Sequence, residues 1–282
     1  MLITPLPGTD RQILLDALHE LGMRVRNLRG GRHEAKFPGY IGWANNAARV
    51  LRHQIRATDI DRLVLTQRYW LLQSLNPVPN SNAFGSIIDL DLLETEIDER
   101  VAAFEEGSSA LARQIERWSG PDVFVVADTS FYIQHTHPLD HLDLATLLAT
   151  RHEPVRLLVP IIVIDELDGL KQHSNARARA RKTLRTLDRV LEDPTRPAPL
   201  IGADWSAVDD GGLPRGPVTI EVVLDPIGHK RIPIADQELI DRAAAVEPLA
   251  ARPVTFLTYD TGQAMRARAA GLKTIKLDQP AD

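Results

Sequence analysis

Cysteine is absent from the 282 residues. That excludes disulfides, thiolate zinc sites and a cysteine nucleophile, fits a reducing compartment, and leaves the fold to stand on packing alone. No apolar run reaches the roughly 18 residues of a membrane span, and MLITPLPGTDRQ lacks a basic region followed by an apolar stretch. A cytoplasmic protein with no membrane partner is expected. Neither GxGxxG nor a Walker loop occurs, which removes dinucleotide and P-loop chemistry. Strong charge of one sign is also lacking. The formal net charge of -5 argues against indiscriminate coating of nucleic acid, so any polyanion site must be local. What is present is ordinary for a globular chain, with 44% hydrophobic and 25% charged residues. The length allows one large domain or two smaller ones.

From Thr9 to about Trp118 apolar residues recur at threes and fours, the helical period. Thr9 or Asp10 is placed to cap RQILLDALHEL, and Thr58 or Asp59 to cap IDRLVLTQRYWLLQSL. IGWANNAARVLRHQI is a shorter helix, IIDLDLLETEIDERVAAFEEGSSALARQIERW a long one, and breaks fall at NLRGGRHE and NPVPNSNAFGS. Residues 1–120 read as an all-helical module of unassigned role, offering a surface for a second copy or a regulatory partner.

At Ser119-Gly120-Pro121 the period changes. DVFVVAD, LLVPIIVID and VTFLTYD are short apolar runs of the buried-strand type, with helical segments between them. Strands alternating with helices predict an α/β domain over 121–282, a parallel sheet in three α/β/α layers. PVTIEVVLDPIGHKRIPI reads as a β-hairpin turning at DPIGHK, part of an insertion at about 196–234 that interrupts the alternation.

Each strand candidate ends in an acid: Asp128, Asp165-Glu166 and Asp260. In open parallel sheets the carboxyl ends of the strands share one edge, where ligands bind. Asp236, opening the helix ADQELIDRAA, joins the group if that helix starts at the same edge. Clustered carboxylates without His or Cys suit a hard ion, Mg²⁺ or Mn²⁺, and such a site activates water and stabilises charge on a phosphodiester. Asp is also a good N-cap, so each acid taken singly has a purely structural reading. In VIDELDGLK, Asp165 and Asp168 can cap and complete the helix start, and the residues by themselves leave open which acid joins the site.

ADTSFYI at 127–133, VIDELDGLK at 163–171, ADQELI at 235–240 and LTYDTGQAMRARAAGL at 257–272 resemble, in order and spacing, the four motifs of the PIN-domain ribonuclease family. The resemblance covers roughly residues 121–278 and is closest to the larger PIN domains of the PhoH-associated type. It implies a metal-dependent ribonuclease acting on single-stranded RNA, with Asp128, Glu166, Asp236 and Asp260 as catalytic metal ligands. Ser130 and Thr258 match the small hydroxyl residues beside them, on the substrate side. The alternative is a non-catalytic RNA- or protein-binding module on a PIN scaffold.

The helix NARARARKTLRTLDRVLED carries a slanting ridge of arginines. Arg177, Arg181 and Lys182 are the candidates for holding RNA phosphates, with Arg266 and Arg268 behind them. The spacing of His135, His137 and His141 could suggest zinc, but with Pro138 in the loop and no Cys they read as a polar loop at the rim of the site.

Overall fold

Asp10 accepts the backbone N–H groups of Gln12 and Ile13 and so starts α1 (Arg11–Asn27). This is the N-cap interaction the sequence signals. The computed structural model describes residues 3–74, 90–172, 176–208, 214–226 and 228–278. The chain divides into two compact units, Met1–Ser119 and Gly120–Asp282.

In the first unit α1 is followed by α2 (His33–Leu51), α3 (Ala57–Leu63), α4 (Gln67–Ser74) and α5 (Leu90–Arg117). Leu14, Leu18, Leu21 and Val25 form the buried stripe of α1; Leu93, Ile97, Val101 and Phe104 repeat the period on α5, along which α1 packs. Gly22 permits that approach, because a Cβ there would stand 3.2 Å from the Phe104 Cβ. Glu96 is fully buried and accepts from Tyr40 Oη at 2.9 Å and Thr66 Oγ1 at 2.8 Å, with Arg100 Nε at 3.0 Å. Burial and then the Glu96 charge push the Tyr40 phenol far up.

Several helix boundaries differ from expectation. IDRLVLTQRYWLLQSL divides into α3 and α4 because Thr66 Oγ1 accepts the Tyr69 N–H at 3.1 Å and starts a new helix. Asp59 caps nothing; it accepts from Thr4 N at 2.8 Å and pairs with Arg62. The helix around IGWANN begins earlier, at His33, and carries Pro38 inside it. The break NPVPNSNAFGS and the start of the long helix lie outside the described residues.

The second unit is built on a six-stranded sheet, β1 (Val123–Ala127), β2 (Val155–Pro160), β3 (Ala198–Ile201), β4 (Val218–Val223), β5 (Val254–Thr258) and β6 (Lys273–Lys276). Its order is β3-β4-β2-β1-β5-β6, parallel throughout except for the β3–β4 pair. Among the described residues seven α-helices join the strands: α6 (Thr129–Gln134), α7 (Leu144–Leu148), α8 (Ile161–Leu170), α9 (Arg177–Val190), α10 (Ala235–Ala244), α11 (Glu247–Ala250) and α12 (Thr261–Ala269). The fold is α/β, with a helical region ahead of it. β1 leads leftward to β2 and β4, and the chain then crosses back to β5 on the other side of β1. The topological switch point therefore lies between β1 and β5, where such sheets bind ligands.

The expected hairpin at DPIGHK is not formed. Val218–Val223 pairs in parallel with Val155–Pro160 and so belongs to the main sheet. Its antiparallel partner lies upstream, at Ala198–Ile201, and among the described residues of 224–234 there is no strand. The LLVPIIVID run also changes state part-way: β2 stops at Pro160 and α8 begins at Ile161. Among the described residues no helix is long and apolar enough to cross a membrane.

Candidate active site

Asp128 follows β1 and Asp260 follows β5, and each starts a helix. Asp128 Oδ1 accepts the Phe131 N–H at 2.9 Å to open α6, and Asp260 Oδ1 accepts the Gln263 N–H at 2.6 Å to open α12. Each acid thus makes the cap bond, which occupies one lone pair and leaves the others for further partners. Glu166 comes from the middle of α8 and Asp236 from the first turn of α10. All four acids line one cleft of about 740 Å³, together with Thr129, Ser130, Gly262, Gln263 and Arg266.

Hydroxyls hold two of these acids, Asp128 and Glu166. Asp128, 5% exposed, accepts from Ser130 Oγ at 2.7 and 2.8 Å and from Thr258 Oγ1 at 2.5 Å. Thr129 Oγ1 donates to Glu166 Oε2. Burial pushes the Asp128 carboxyl up, the Thr258, Ser130 and Phe131 bonds oppose it, and the Asp260 charge adds to it. Glu166 is raised in the same way, by burial first and then by repulsion from Asp236 and Asp128, against the Thr129 bond. The four acids therefore form one electrostatic group. Asp236 Oδ2 takes Arg266 Nη1 at 2.9 Å.

The other acids of VIDELDGLK sit differently from expectation. With α8 starting at Ile161, Asp165 and Asp168 fall inside the helix and cap nothing. Asp165 pairs with Arg231 at 2.6 Å and Asp168 with Lys171.

A second group brings ligand atoms of Asp225, His229 and Glu238 within 4.8 Å of one another. Here the chain supplies its own cations and donors. Glu238, fully buried, bonds His229 Nε2 at 2.7 Å and the Ile232 N–H at 2.8 Å, with Arg242 Nε at 3.4 Å. Asp225 takes Arg231 Nε at 2.6 Å. Each carboxylate is already engaged by a guanidinium group, Asp225 by Arg231 and Glu238 by Arg242, so the group acts as a clamp. It ties His229 and Ile232 to α10, just ahead of Asp236.

Of the basic candidates, Arg266 lines the cleft, whereas Arg177, Arg181, Lys182 and Arg268 are not among its lining residues. Arg177, Arg181 and Lys182 are exposed on α9, and Arg181 lines a neighbouring groove of about 610 Å³ with Asp168, Lys171 and Arg185. Arg179, which periodicity did not single out, donates to the carbonyls of His135 and His137, the latter at 2.7 Å, and anchors that loop. His135 Nδ1 lies 2.8 Å from Tyr259 Oη, and burial lowers its pKa. Tyr132 and Tyr259 are buried and pack beside their strands. Sequence reasoning missed Thr129 and Gly262, although both stand inside quoted motifs, Thr129 next to Asp128 and Gly262 two residues after Asp260.

A family model of the PIN domain matches residues 125–278. No curated protein matches the chain. PIN domains are generally nucleases that bind RNA and use divalent metal ions, and the matched residues span β1 to β6 with all four acids between. On that match, and on the switch-point cluster it encloses, the chain belongs to the PIN-domain family.

Proposed function

We propose that residues 121–282 act as a metal-dependent ribonuclease hydrolysing phosphodiester bonds of single-stranded RNA, with Asp128, Glu166, Asp236 and Asp260 as ligands for Mg²⁺ or Mn²⁺. The observation that carries this reading is the convergence of four carboxylates on one cleft, where burial and mutual repulsion raise Asp128 and Glu166. A cation relieves that repulsion. Every charged or hydroxyl donor in the cleft presents oxygen apart from Arg266, and no imidazole lines it, which suits a hard divalent ion. A cation held there supplies a Lewis acid at the scissile phosphate and a lowered pKa for the attacking water.

The chain's own residues orient these ligands. Ser130 and Thr258 hold Asp128 in its ionised form by donating to it, and Thr129 fixes the rotamer of Glu166. Gly169 and Leu170 line the cleft while Asp168 and Lys171 line the neighbouring groove, so the end of α8 separates the two. A strand leaving the cleft over α8 meets Arg181, with Arg177 and Lys182 on the same helix as further phosphate contacts, and its binding weakens with salt.

A labelled single-stranded RNA is expected to be cut with Mg²⁺ or Mn²⁺ and left whole in EDTA. Asp128→Asn and Asp260→Asn are expected to abolish cutting while the protein stays folded, because Asn caps a helix as well as Asp does. Cleavage that persists in EDTA or in both variants overturns the assignment. Metal uptake without any cleavage moves the reading to a non-catalytic RNA- or protein-binding module on the same scaffold.

A further inference from the structure

We infer that Arg266 is a phosphate-binding residue restrained by Asp236 and released when a divalent cation takes that carboxylate; this rests on the metal-dependent reading above. Arg266 is the one basic side chain among the cleft-lining residues described. Its Nη1 lies 2.9 Å from Asp236 Oδ2, and the two side chains are 49% and 47% exposed. Ion pairs so exposed contribute little, so a cation coordinated by several carboxylates displaces the guanidinium readily.

The released group stays at the cleft. Gly262 lies one turn before Arg266 on α12, and a Cβ there would stand 3.2 Å from Asp260 Oδ1 and 3.6 Å from Arg266 Nη1. The bare glycine gives the guanidinium room across the start of the helix, beside two of the four acids. A guanidinium offers paired donors in a fixed fork that matches two phosphate oxygens. Without metal one arm of that fork, Nη1, is held by Asp236. With metal it faces a phosphodiester next to the cation. One side chain thereby couples metal binding to RNA binding, and each ligand must raise the affinity of the other by the same factor.

The test compares the wild type, Arg266→Gln and Lys273→Gln. Lys273 is exposed at the start of β6 and is not among the residues lining the cleft, so it controls for loss of one positive charge. Mn²⁺ binding is read by calorimetry. Binding of a phosphorothioate-linked single-stranded RNA is read by fluorescence anisotropy, with and without Mn²⁺. Arg266→Gln is expected to bind Mn²⁺ about two- to fivefold more tightly, the scale of an exposed ion pair, yet to lose most of the Mn²⁺-dependent gain in RNA affinity. Lys273→Gln is expected to keep the wild-type values for both. If Arg266→Gln retains the gain, or matches Lys273→Gln in both measurements, the role of Arg266 is overturned and the metal site stands. A wild type that takes up no Mn²⁺ overturns the metal site and this coupling together.

Discussion

Thr258 Oγ1 donates to Asp128 Oδ2 at 2.5 Å while accepting the Asp260 N–H at 2.9 Å. One hydroxyl at the end of β5 thus joins the first carboxylate of the cluster to the backbone of the last. The arrangement follows from register: Ala127 pairs with Leu257 in the β1–β5 ladder, so the next residue of each strand meets across the switch point.

Thr258→Val keeps the side-chain shape and removes the donor. Asp128 then stays buried with one bond fewer to its ionised form, and its carboxyl is expected to rise further. The second unit is expected to lose about 1–3 kcal/mol at neutral pH, the cost of leaving a buried acceptor short of a partner. Thr258→Ser should recover most of it. Urea unfolding of the three proteins checks this, and a valine variant as stable as wild type would show that the hydroxyl does not support Asp128.

The raised carboxyls make a pH prediction. Asp128 and Glu166 titrate higher in the folded chain than in the unfolded one, so between the two values the folded state binds more protons. Their contribution to stability is full below the ordinary carboxylate value, about 4, and is lost as pH rises through the higher folded value. In EDTA, Glu166→Gln is therefore expected to gain stability relative to wild type as pH goes from about 4 to 7, because repulsion from Asp236 and Asp128 no longer develops. Denaturation midpoints across that range provide the measurement; a difference between the two proteins that stays constant with pH refutes the coupling.

The legible parts of this site were those in which strand, cap and acid are adjacent in sequence. VVADTS and LTYDTG each carry a buried run, an acid that caps and a hydroxyl, Ser130 or Thr258, that donates to Asp128, so β1, β5, Asp128 and Asp260 could be read directly. LLVPIIVID could not be divided, because a buried strand and a buried helix are both apolar, and only the structure places the change at Pro160. Glu166 was nevertheless identified through its motif, although its position in mid-helix was not. β4 was visible as a strand but not its partners, since PVTIEVV says nothing about pairing with a segment some sixty residues upstream. The basic ridge of α9 gave a face and no address: periodicity orders side chains around a helix but does not locate the helix relative to the cleft.

Asp236 was the acid whose position sequence fixed least, and its support lies two residues further on. Glu238 holds the Ile232 N–H, His229 and Arg242 at once, so it binds the preceding loop to α10 and leaves Arg242, 3% exposed, with a buried counter-charge. Glu238→Ala strands that guanidinium, which keeps only Asp241, and frees the Ile232 N–H. A loss of about 3 kcal/mol is expected, the scale for breaking a buried ion pair from one side. Glu238→Gln retains the shape and an acceptor oxygen and should cost less. Because the clamp aims the first turn of α10, the alanine variant should also show a smaller Mn²⁺-induced rise in melting temperature than wild type, since a ligand stabilises only through the state that binds it. An alanine variant that is destabilised but keeps the full Mn²⁺ shift would confine Glu238 to stability and remove it from the positioning of Asp236.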